Sequence, residues 1–133
     1  MITLDEMLKG KSMASLPLAH QGNLKVLWFR INKVRTAYGH PMVVTNCYRS
    51  MAEHLKIYKD KGVTKVPLMS KHLSGCAVDI ADPTGELNAW CKANQTLLKQ
   101  IGLWCENRQG NWQHFQSEPF KSYKLDGSVF FAP

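Results

Sequence analysis

From Asn23 to Tyr38 the apolar side chains fall at Leu24, Leu27, Trp28, Ile31, Val34 and Tyr38. Steps of three and four put them on one stripe of a helix, and Gly39 closes it. Upstream, Thr3 and Glu6 have the spacing of a capping box, and Ile2 with Met7 that of a hydrophobic staple, so a short first helix is expected to about Lys9. Residues 10–22 carry Gly10, Pro17 and Gly22 without a period, which predicts a loop with His20 on the surface. His40 and Pro41 turn the chain into Met42-Val43-Val44-Thr45, a β-branched run that predicts a buried strand. Met51 to Lys61 predicts a short helix with Leu55 and Tyr58 inward, His54 exposed and Gly62 past its end; a loop from Val63 to Met69 follows.

In the second half the period changes. Over Cys76 to Ala81 a period of two puts Ala77, Asp79 and Ala81 on one face of a strand and Cys76, Val78 and Ile80 on the other. Asp82 is placed as the N-cap and Pro83 as the first residue of one long helix, with Leu87, Trp90, Cys91, Leu97, Leu98 and Ile101 buried and Gly102 as its stop. Leu103 to Glu106 reads as a strand, 107–111 as a polar turn, and Trp112 to Gln116 as the returning strand of a hairpin, with Trp112, His114 and Gln116 on a shared face. Ser128 to Phe131 supplies a last edge strand. The pattern predicts one α+β domain over residues 1–133, a small antiparallel sheet with helices packed on it.

Composition narrows the class. A length of 133 residues suits a single domain with a real core. With 44% hydrophobic and 20% charged residues, no apolar run approaches the ~20 residues of a membrane span, so membrane insertion is not expected. The N-terminus has Asp5 and Glu6 where a signal peptide needs basic residues, which predicts a chain made and kept in the cytoplasm. Cys47, Cys76, Cys91 and Cys105 show no Cys-x-x-Cys spacing and are expected to be buried thiols. The formal net charge of +7 asks for an anionic partner. Lys56, Lys59, Lys61, Lys65 and Lys71 form one arc, the other basic residues are scattered, and no basic-aromatic motif is present. That distribution favours anionic wall polymers over nucleic acid.

The chemistry concentrates between Ser70 and Asp82. His72 and Asp79 stand seven apart, with Gly75 to let the chain reverse before the strand that carries the carboxylate. His114 supplies a third donor from the hairpin. Two imidazoles and a carboxylate leave a fourth position open, the pattern of catalytic rather than structural zinc. Cys76 faces away from Asp79 on the strand and is excluded as a ligand.

Ser70-x-His72, six residues to Asp79, and a late Trp112-x-His114 resemble the zinc peptidases of the D-alanyl-D-alanine carboxypeptidase and L-alanyl-D-glutamate endopeptidase superfamily, which includes lysostaphin-type enzymes and the hedgehog domain. Asn46-Cys47-Tyr48-Arg49-Ser50 is similar to that family's Gly-Tyr-Arg-Ser segment. Gly102-Leu103-Trp104-Cys105-Glu106 and the closing Phe131-Ala132-Pro133 resemble small phage-encoded members, and the order is kept along nearly the whole chain. The resemblance implies a hedgehog-like fold and zinc on His72, Asp79 and His114. It implies that Arg49 binds substrate and stabilises the oxyanion, and that Ser70 helps hold a substrate carboxylate, while Trp112 walls the pocket.

The carboxypeptidase branch carries its general base three residues before the last His, where this chain has Asn111, an amide that cannot accept a proton. Glu106, at the end of the preceding strand as in the hedgehog branch, is the expected replacement. The expected protein is a monomeric, phage-type zinc peptidase acting on the peptidoglycan stem, held in the host cytoplasm until it is released to the wall. The alternative is a zinc-containing wall-binding module without catalysis, and the sequence leaves open which stem bond is cut.

Overall fold

The computed structural model describes residues 1–66 and 70–132. Five short strands make one sheet: β1 (Val44–Asn46), β2 (Ala77–Ala81), β3 (Trp104–Glu106), β4 (Trp112–Gln116) and β5 (Phe130–Phe131). Their spatial order is β1-β2-β4-β3-β5. The first four are antiparallel neighbours, but β5 runs parallel to β3, so the sheet is mixed rather than antiparallel throughout. The cause is the connection. After β4 the chain crosses β3 through residues 117–129 and returns in the opposite direction to β4, which is the direction of β3. Nothing in the pair Phe130-Phe131 records that path.

The helices are α1 (Leu4–Leu8), α2 (Leu18–Tyr38), α3 (Met51–Asp60), α4 (Glu86–Ala93) and α5 (Gln95–Ile101), with 3-10 turns at Met13–Ser15 and Lys71–Ser74. α2 supplies the predicted stripe: Leu24, Leu27, Ile31 and Val34 are fully buried in one core with Val78 and Ile80 of β2 and Phe115 of β4. Burying each such aliphatic side chain is worth about 1.5–3 kcal/mol. The capping box of Thr3 and Glu6 starts α1, and buried Asn32 fastens that end of the chain to α2 by pairing with both the N–H and the carbonyl of Ile2, at 2.8 and 3.0 Å.

Several expectations change. α2 begins at Leu18 rather than Asn23, so His20 lies in its first turn and not in a loop. Pro17 starts it, its carbonyl accepting from the Gln21 N–H at 3.0 Å, and the ~1 kcal/mol that Gly22 costs inside a helix is small beside the aliphatic burial. In α3 the inward residue is His54, which is fully buried, while Leu55 is 45% exposed and Tyr58 is half-buried. The Ser50–Glu53 capping box starts this helix, and the His54 ring packs edge-on against Tyr58 with centroids 4.9 Å apart.

The long helix expected from Pro83 is two helices broken at Asn94, and the first starts at Glu86 behind Gly85. Asp82 still serves as the cap, but from outside the helix, accepting from the Leu87 and Asn88 N–H groups at 3.0 Å each. Strands β1 and β5 are shorter than the runs 42–45 and 128–131. Residues 67–69 of the predicted loop, and Pro133 of the closing tripeptide, lie outside the described residues. All four cysteines are free and buried. Among the described residues no helix is long and apolar enough to cross a membrane.

Candidate metal centre

Two antiparallel registers build the site. Asp79 of β2 pairs with His114 of β4, and the pairing of Cys105 with Phe115 puts Glu106 of β3 level with His114 on its other side. Asn46 pairs with Asp79 at one end of this row and Phe131 with Glu106 at the other. One transverse row of the sheet therefore carries Asn46, Asp79, His114, Glu106 and Phe131. All five line a cleft of about 570 Å³, and side chains in one row of a pleated sheet share a face.

His72 reaches the same cleft from the 3-10 turn before β2. The Ser70 hydroxyl accepts from the His72 N–H at 3.4 Å, and Gly75 ends the turn at φ 80°, a left-handed conformation. A Cβ there would stand 3.0 Å from the His20 carbonyl oxygen and 3.5 Å from the Leu24 Cβ. The chain must come this close to α2 to aim His72 at the sheet, and glycine permits both the angle and the approach.

His72, Asp79 and His114 present ligand atoms that all lie within 4.8 Å of one another. One Asp79 oxygen is 3.3 Å from His72 Nε2 and the other 2.9 Å from His114 Nδ1. The outer nitrogens are held as well. His72 Nδ1 is 2.7 Å from the Cys47 carbonyl oxygen, which can only accept, so Nδ1 donates to it and Nε2 is the nitrogen turned toward Asp79. His114 Nε2 is 3.0 Å from the Gln116 side-chain oxygen, and the Gln116 amide nitrogen donates to the Glu118 carbonyl at 2.8 Å, which fixes that orientation.

Both nitrogens of His114 thus face oxygens. The pairing is satisfied either by an imidazolium or by a neutral ring whose Nδ1 binds a cation shared with Asp79. Outer hydrogen bonds of this kind orient ligating histidines, so the donor set fits a metal ion. The ionisation follows from the same contacts. Burial alone would raise the Asp79 pKa, but hydrogen bonds from His114 and His72 outweigh it and hold the carboxyl well below its usual range. Burial alone would lower the His114 pKa, but the Asp79 carboxylate outweighs it and raises it.

Around these three stand the other predicted residues. Glu106 is half-buried, and burial, helped by the Asp79 charge, raises its pKa. That moves a carboxylate toward the range of a general base at neutral pH. Its backbone is fixed from the far face of the sheet, where buried Gln113 donates to the Glu106 carbonyl at 3.1 Å and accepts from Asn88 at 2.6 Å. Arg49 is 9% exposed and lines the cleft; its Nε is buried without a hydrogen-bond partner, and it makes no ion pair among the described residues. Burial lowers its pKa from a value high enough that it stays charged.

Trp112 is 38% exposed and forms part of the cleft wall, and any side chain at Gly110 would run into its ring. Ser70 lines the cleft too, with its hydroxyl engaged in capping. Asn111 is exposed, and among the described residues it contributes only its carbonyl, to the Asp82 N–H at 2.7 Å.

Sequence reasoning missed the supporting groups. The strand period puts Gln116 on the His114 face without assigning it a role, although a polar side chain two residues from a strand ligand is the available signal. The Cys47 carbonyl had no signal, because any residue can supply one. Lys61, Phe120 and Phe131 also line the cleft. No family model matches the chain, and no curated protein or solved structure matches it.

Proposed function

We propose that the protein is a zinc-dependent peptidase that hydrolyses a peptide bond in the peptidoglycan stem, as the phage-type members of the resembled superfamily do. The observation that carries this reading is the row of Asp79, His114 and Glu106 across three adjacent strands, with His72 and an unpaired Arg49 in the same cleft. His72, Asp79 and His114 would hold the zinc, which when bound supplies Lewis acidity to the reacting carbonyl. Glu106 takes a proton from the attacking water and returns it to the departing amine. Arg49 donates N–H groups to the carbonyl oxygen as negative charge builds there, and its buried Nε is free to do so. Trp112 and Ser70 border the space the substrate would fill.

A net charge of +7 supports an anionic wall as the partner. Storage in the host cytoplasm and release by a separate permeabilising protein belong to the same proposal. Asn111 favours a second reading, a metal-containing wall-binding module without catalysis.

The test is mass analysis of fragments released from purified peptidoglycan by the zinc-loaded chain, beside the same chain carrying Glu106→Gln. The peptidase reading expects new amine and carboxyl termini with the wild type, and at least a ~100-fold slower release with the variant at unchanged zinc content. Intact wall after incubation with zinc-loaded wild type, together with retention of the protein on that wall, selects the binding module.

A further inference from the structure

We infer that the cleft continues past the metal centre into a second cavity that takes the next residues of an extended peptide, so that cleavage falls within a peptide rather than at its end. This rests on the peptidase reading above. The second cavity measures about 420 Å³, within the range of sites that bind small ligands, and it shares Ser70 and Lys71 with the metal cleft. Ser70 precedes His72 by two residues, so the seam between the cavities is at most about 7 Å of chain from a metal ligand.

An enzyme that removes only a terminal residue needs a wall on one side of the scissile bond. Here the seam is a capping serine and an exposed ion pair, Lys71 to Glu118 at 3.5 Å, with side chains 36% and 49% exposed. A pair this exposed opens at little cost.

The lining matches a peptide. The Tyr48 hydroxyl and His20 Nδ1 pair with each other at 3.2 Å on the cavity wall, and Met51 and Leu73 offer apolar surface. The charges of Lys71 and Glu118 offset each other, so the cavity suits a peptide better than an isolated anion. His20 is held in place because α2 is locked against the turn that carries His72, at the close approach of Gly75. One of the three histidines outside the metal site thereby acquires a place.

The test uses stem peptides built from L-Ala, γ-linked D-Glu, L-Lys and D-Ala, lengthened one residue at a time from either end. Their affinity for the full zinc-loaded chain carrying Glu106→Gln is measured by calorimetry, and their cleavage by the zinc-loaded wild type is followed by mass analysis. Lengthening on one side is expected to raise affinity ~10-fold or more, with the cut falling inside the longer peptides. Met51→Ala and His20→Ala are each expected to reduce the ratio of long- to short-peptide affinity; Met51 is 45% exposed, so its truncation does not threaten the fold.

Affinity independent of length, a ratio unmoved by both variants, or release of the terminal residue alone overturns the inference. Absence of any cleavage, with a length-dependent affinity that responds to Met51 and His20, overturns the peptidase reading but supports the cavity as a peptide site.

Discussion

Replacing Gln116 by Leu removes the acceptor on the outer nitrogen of His114 and touches no ligand atom. In the wild type the Gln116 oxygen lies 3.0 Å from His114 Nε2, and its amide is anchored on the Glu118 carbonyl at 2.8 Å, so the imidazole is held with Nδ1 turned to Asp79. Leu has a similar volume and the site is buried, so the strand should keep its packing. Two things are lost. The ring can rotate or take the other tautomer, and the Glu118 carbonyl loses a donor. Loss of such a partner typically costs 10- to 100-fold in metal affinity, which is about 1.4–2.8 kcal/mol. The unpaired carbonyl adds ~1 kcal/mol of lost fold stability, which appears with and without metal. Competition with a chromophoric chelator measures the first quantity, and urea unfolding of the metal-free protein the second. Gln116→Glu, which keeps an acceptor, should retain most of the affinity. Zinc affinity within twofold of wild type in Gln116→Leu would falsify the assignment of His114 Nδ1 as the ligand atom.

Other outcomes follow from the same geometry. His72→Ala combined with His114→Ala should abolish tight zinc binding, and stoichiometric zinc surviving in that double variant would move the site elsewhere. Arg49→Lys should fold but lose about 2.7–4 kcal/mol of transition-state stabilisation, because a point charge does not reproduce the donor fork; wild-type turnover would place Arg49 outside the reaction. In the metal-free protein the pairing of Asp79 with His114 should stabilise most between about pH 3.8 and 6.5, the ordinary values of the two groups. The depressed Asp79 contribution is lost as pH falls through its folded pKa, and the raised His114 contribution is lost as pH rises through its folded pKa. Zinc binding needs a neutral His114, so the stabilisation by zinc should instead grow with pH; melting temperatures with and without zinc that share one pH slope would contradict this. Gly75→Ala should cost about 1–2 kcal/mol from the left-handed backbone alone, with more from the approach to His20, and an unchanged melting temperature would show that the turn relaxes freely.

The chain by itself determined the parts whose causes are local. The stripe of α2, the capping box of α1, the strand from Ala77 to Ala81 and the hairpin from Trp104 to Gln116 are written in periods and caps that need no partner. The three ligand candidates were legible because their donor types are few and their spacing put a turn before a strand. Elsewhere the structure departs from the pattern: His54 rather than Leu55 and Tyr58 faces inward in α3, the helix after Asp82 breaks at Asn94, and α2 starts at Leu18 behind Pro17. The register that lines up Asp79, His114 and Glu106 belongs only to the tertiary structure, since it depends on which strands pair and in what alignment. So does the parallel β5, which follows from the route of the chain across β3. The outer hydrogen bonds to Cys47 and Gln116 are of the same kind: a backbone carbonyl carries no sequence signal, and an amide beside a histidine becomes a support only when the sheet brings the two rings to one carboxylate.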